Sequence, residues 1–157
     1  MVTEAANPNL SPSDVASRFY SPPLDKALEL RDYAATAIAA TTAGAAVSFY
    51  SAATTAFEIV LRTAAIGGTV DGSNLWTITV TADNESTFTS PITLLTHALP
   101  ATAGSRRFIV ASEEVQRLAV IASMTTSPSL IRVTATETGT TAGDLTYGCW
   151  IEPVSPV

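Results

Sequence analysis

The chain has 157 residues, enough for one ordinary domain with a core of its own and too few for two comfortable ones. Charged residues make up 14% of it against a usual quarter, alanine and threonine together roughly a third, and the net charge is −6 with a single lysine, Lys26, among eight basic residues. Such a balance offers no basic stripe to a phosphate backbone, which argues against nucleic acid as a direct partner; it also denies exposed strand edges their usual lysine guards, so part of the surface is expected to be covered in a working assembly.

Residues 1–23 contain Pro8, Pro12, Pro22 and Pro23 and little apolar mass. Proline removes a backbone donor and pushes the residue before it into extended geometry, so this stretch is expected as an extended arm lying on some surface, with the folded domain occupying residues 24–157. The start shows neither the basic cluster nor the apolar run of a signal peptide, and no later stretch approaches 18 apolar residues. The expectation is therefore a soluble chain made in a cytoplasm, with no membrane partner.

From Leu24 to Tyr33, "LDKALELRDY" suits two or three helical turns after the proline pair, with Leu24 and Leu28 on one face. The alanine-rich stretch that follows, to Tyr50, is broken by Thr41, Thr42 and Gly44 and reads as extended. "AFEIVLR" then alternates Phe57, Ile59 and Leu61 with Glu58, Val60 and Arg62, and Asp71-Gly72 marks a turn in the loop beyond it. In "LWTITVTADNESTF" Trp76, Ile78 and Val80 point one way and Thr77, Thr79 and Thr81 the other, the two-residue period of a half-buried strand; Asp83 to Ser86 end it in a turn.

Further short strands are expected at "PITLL", "RRFIV", "LIRVTAT" and "LTYGCWI". "SEEVQRLAVIAS" fits either state: Ser112 followed by acids can cap a helix, with Val115, Leu118, Ala119 and Ala122 as its stripe, yet a strand also suits the run. About eight short antiparallel strands make an all-β chain, a β-sandwich or jelly roll.

Reactive chemistry is sparse. His97 is the one histidine and Cys149 the one cysteine, so multi-histidine metal sites and intrachain disulfides are excluded, and no G-x-S-x-G elbow exists. Cys149 reads as a small buried hydrophobe. Asp83, Asn84 and Glu85 lack the ligand spacing of a calcium loop, adjacent Glu113 and Glu114 diverge, and the glycine loops lack a phosphate-cradling pattern, so no cofactor is expected. Arg106-Arg107 is the one double-basic site, where alternation sends one side chain inward or along an interface to meet a carboxylate, a salt bridge between subunits being the expectation.

The succession "LRDYAATAIAATTAGAAVSF", "WTITVTADNESTFTSP" and "LIRVTATETGTTAGDLTYGCWI" resembles the capsid cement, or decoration, proteins of tailed bacteriophages over residues 28–152. The resemblance lies in strand texture and turns, and the arm has no counterpart in it. It implies a compact, commonly homotrimeric sandwich on the outside of a virion, partnered by the major capsid protein and bridging capsomers. Candidate contact residues are Pro8, Pro12, Phe19 and Tyr20 of the arm, Arg106, Arg107 and Trp150. A receptor- or glycan-binding module of a phage tail or fibre is the second class, with Trp76, Trp150, Tyr147 and Tyr20 as possible platform aromatics; an enzyme is the third.

Overall fold

The computed structural model describes residues 26–49 and 56–154; the proposed arm, residues 1–23, lies outside them. Residues Lys26–Leu28 make one 3-10 turn, and the chain then enters β1, Glu29–Arg31, where a helix was expected. The reason is long-range: β1 pairs with the last strand and turns Leu30 into the core, a gain local helix propensity cannot match. β2 (Thr42–Ala43) and β3 (Val47–Ser48) fall in the stretch expected to be extended, are two residues each, and both pair with the same neighbour, end to end.

The long strands follow: β4 (Ala56–Thr63), β5 (Leu75–Asp83), β6 (Ile92–Ala98), β7 (Gly104–Ala111), β8 (Leu130–Thr138) and β9 (Tyr147–Pro153). Between β7 and β8 lies the one α-helix among the described residues, α1, Ser112–Ile121. The ambiguous segment is thus helical. Its N-cap is Ala111, with no side-chain cap, so Ser112 sits inside the helix instead of capping it. What decides the matter is packing: Val115 and Ala119, one turn apart, are buried as the helix lies on β7 and β6.

All strand pairs are antiparallel. One sheet runs β1-β9-β4-β7, the other β2-β8-β5-β6 with β3 also on β8. With β2 and β3 taken as one broken strand, first pairs with last, second with seventh, third with sixth and fourth with fifth. This nested hairpin, rolled so that successive pairs fall in opposite sheets, is a jelly roll. Each sheet gives its alternate residues to a shared core: Phe57, Ile59, Leu61, Tyr147, Cys149 and Ile151 from one, Trp76, Ile78, Val80, Ile131, Val133 and Ala135 from the other.

The Asp71-Gly72 turn exists, with Asp71 Oδ1 accepting the N–H groups of Ser73 (2.7 Å) and Asn74 (2.8 Å). It joins strands of different sheets. Nearby, the chain segments before β5 and β9 cross at backbone contact: a Cβ at Gly68 would overlap Thr141 and Ala142, and Gly143 takes φ +78° against Gly68. Gly143 in turn offers its carbonyl to the indole N–H of Trp76 at 2.8 Å. Only glycine permits that conformation and that approach together.

Candidate functional site

With the core accounted for, function must be sought on the two outer faces and the edges. On the β2-β8-β5-β6 sheet the outward residues are nearly all threonine. Register places Thr79 between Thr134 and Thr96, Thr77 between Thr136 and Ala98, and Thr81 between Arg132 and Thr93. The alternation read from "LWTITVTAD" therefore builds one stripe of a three-strand hydroxyl-and-methyl face. Arg132 is the charge in it, and its guanidinium lies 4.1 Å over the ring of Phe88, folded back from the β5–β6 loop. Phe88 holds φ +51°, unusual for an aromatic, and its ring is buried.

That loop is pinned by Asp83. Its carboxylate, buried, accepts backbone N–H bonds from Asn84 (2.7 Å), Glu85 (3.2 Å) and Ser90 (3.3 Å), so turn building is its task. No group of three or more His, Cys, Asp or Glu side chains is placed to hold a metal among the described residues.

The other outer face carries charge and aromatics. Arg107 Nη1 donates to Glu58 Oε2 at 2.5 Å and to Glu152 Oε2 at 2.6 Å, and Glu152 Oε1 accepts the indole N–H of Trp150 at 2.8 Å. The carboxylates that Arg107 meets thus belong to its own chain. The hydrogen bonds that Arg107 donates to Glu58 and Glu152 raise the pKa of its guanidinium. Burial pushes Glu152 upward, but the Trp150 and Arg107 donors together outweigh it and hold its carboxyl below the usual value. Trp150 is half-buried, with Val60 opposite it in register. Tyr33 lies across Gly148 and stacks on Arg62, 4.1 Å from the guanidinium carbon to the ring centroid. A shallow groove of about 250 Å³ runs beside this pair, lined also by Thr63, Ala103, Gly104 and Ser105.

Of the sequence candidates, Pro8, Pro12, Phe19 and Tyr20 lie outside the described residues. Arg107 and Trp150 meet in one network, whereas Arg106 points to the opposite side of β7, toward His97. Trp76 and Tyr147 are core residues and cannot serve as platforms. Burial pushes the Tyr147 hydroxyl up to about 12, and the Cys149 thiol likewise to about 12, as the small-hydrophobe reading required. His97 sits at the end of a strand, next to last in β6, facing inward, its ring 5.1 Å from that of Phe108. Sequence reasoning missed Tyr33, Arg62 and Glu58, whose partners are brought up by strand pairing across many residues. Compared with known proteins, the chain matches no family model, no curated protein and no solved structure.

Proposed function

We propose that the chain is a structural protein of a virion, a capsid cement protein that attaches to the outside of a shell made of major capsid protein. The observation that carries this reading is the threonine face. Its side chains are β-branched and already restricted at χ1, so little rotamer freedom is lost when a partner covers them, and almost no charge has to be desolvated. A face of this kind, with Arg132 as its charge, on a rigid sheet fits docking to a large protein scaffold better than it fits free exposure. Modest single contacts then suffice, because a scaffold with many repeated sites raises the effective concentration of each later contact. The resemblance in strand texture to phage decoration proteins points to the same scaffold.

The test is co-sedimentation with purified shells. Wild-type protein is expected to bind at a fixed copy number per major capsid protein, and Thr79→Lys, which places a charge at the centre of the face, is expected to weaken binding about tenfold or more without altering the fold. Binding that is absent, or indifferent to Thr79→Lys, contradicts the reading. A glycan-binding module is favoured by one observation, the half-exposed Trp150 beside Glu152 and Arg107 on the opposite face. Retention on a sugar panel that is lost in Trp150→Ala decides for it.

A further inference from the structure

We infer that Arg132 is a carboxylate-binding seat within the threonine face, taken in the assembly by an aspartate or glutamate side chain of the shell protein; the inference rests on the shell-docking reading above. Elsewhere in the chain arginines are matched: Arg107 by Glu58 and Glu152, Arg117 by Glu114, and Arg31 by the carbonyl of Thr36. Among the described residues Arg132 forms no ion pair and no hydrogen bond. Its Nε is buried without a partner, and so is Oγ1 of Thr81, which stands opposite it in register. Buried polar atoms are matched as a rule, so two unmatched ones side by side mark a place where the free chain is incomplete.

The surroundings leave the guanidinium in reach from outside. Phe88 covers its central carbon at 4.1 Å from the ring centroid, which occupies one flat side and leaves the N–H donors at the edge of the plane. The residue as a whole is half-buried. On one flank stands Thr81; on the other the ladder is broken, because β2 stops opposite Thr134 and β3 starts only opposite Ile131, so no paired residue lies beside Arg132 there. Asp83, two residues further along β5, is no substitute: its oxygens are taken up by the backbone N–H groups of Asn84, Glu85 and Ser90.

Desolvation selects the occupant. An arginine does not shed its proton to escape burial, so a neutral surface laid over this face would enclose a charge with no counter-ion and oppose docking strongly. A carboxylate removes that penalty, its two oxygens matching the fork of N–H donors, whereas a backbone carbonyl brings no charge. A phosphate backbone would ask for a basic stripe, and the flanks of Arg132 are threonine. Arg106 likewise has no ion pair among the described residues, but it is exposed on β7, in the other sheet, where water serves it.

The test is co-sedimentation of the full-length chain with two kinds of shell: untreated, and with surface carboxylates blocked as neutral amides by a carbodiimide and ethanolamine, electron microscopy showing that the blocked shells are intact. Wild-type protein is expected to bind blocked shells about tenfold or more weaker than untreated ones. Arg132→Gln, with an unchanged circular dichroism spectrum and urea midpoint, is expected to bind both kinds equally, at the wild-type level for blocked shells, as two changes to one contact do. Arg132→Lys keeps the charge and should keep a difference between the two. Equal loss on blocking in wild type and Arg132→Gln, or untreated shells that bind Arg132→Gln as tightly as wild type, overturns the inference while leaving the shell-docking reading in place. Wild-type protein that binds neither kind of shell removes both.

Discussion

At the scale of residues, His97 shows how a single side chain is set by its neighbours. It faces the core side of β6 against Phe108, its Nε2 is buried without a hydrogen-bond partner, and Arg106 is the charged group acting on it. Burial first, and Arg106 second, lower its pKa below the usual 6.5. The unfolded chain takes up a proton near that usual value while the folded one resists, so stability is full above it and falls as the pH drops through 6.5 and on through the lower folded value. As the one histidine in the chain, its ring gives a single NMR titration curve, expected to have its midpoint below 6.5. A midpoint at or above that value would show the ring to be solvated. In parallel, His97→Phe should flatten the acid-side decline in the urea midpoint. No pattern in "TLLTHALP" announces this environment, because Phe108 and Arg106 reach His97 only through the folding of β6 toward β7.

At the scale of elements, α1 ends in a Schellman motif. Met124 N–H reaches the Ala119 carbonyl and Ser123 N–H the Val120 carbonyl, each at 3.0 Å, with Ser123 in the left-handed region at φ +57°. Glycine is the usual residue there; serine holds the position at a cost in strain. Ser123 is exposed, so Ser123→Gly relieves that strain without removing a buried contact and should stabilise the fold by about 0.5–1 kcal/mol, read as a higher urea midpoint at unchanged slope. Strands half-buried on one face were legible in the sequence: β4, β5 and β8 alternate as their residue types do. β1 was not, since three residues carry no period and what makes them a strand is β9, about 120 residues away. α1 was open to both readings because its apolar residues fit a helical stripe and a β-branched run alike, until β6 and β7 supplied the surface for one face.

At the scale of the molecule, two antiparallel layers follow from the number and spacing of short strands, and that much was readable. Which strands pair was not, because the rolled arrangement separates neighbours in sequence, β4 from β5 and β7 from β8, into opposite sheets. The same separation hides the surfaces. The threonine stripe of β5 is plain in "TITVT", yet the face it belongs to needs β6 and β8 at its flanks, and the Glu58–Arg107–Glu152 network spans three strands. The nested pairing also makes β9 a central strand, between β1 and β4. A chain ending at Asp144 would leave β1 without a ladder and β4 with its β7 ladder alone, and would expose Phe57, Ile59 and Leu61; it is expected to give the circular dichroism of an unfolded protein, and a cooperative thermal transition in that fragment would contradict this.

The position of β9 bears on synthesis. A ribosome delivers β1 and β4 well before this strand, so their layer stays open until β9 has cleared the exit tunnel, with Leu30 and the apolar side of β4 meanwhile in reach of chaperones. That layer thereby closes in one late step: Leu30 and the core side of β4 leave water only when β9 adds its ladders to both strands.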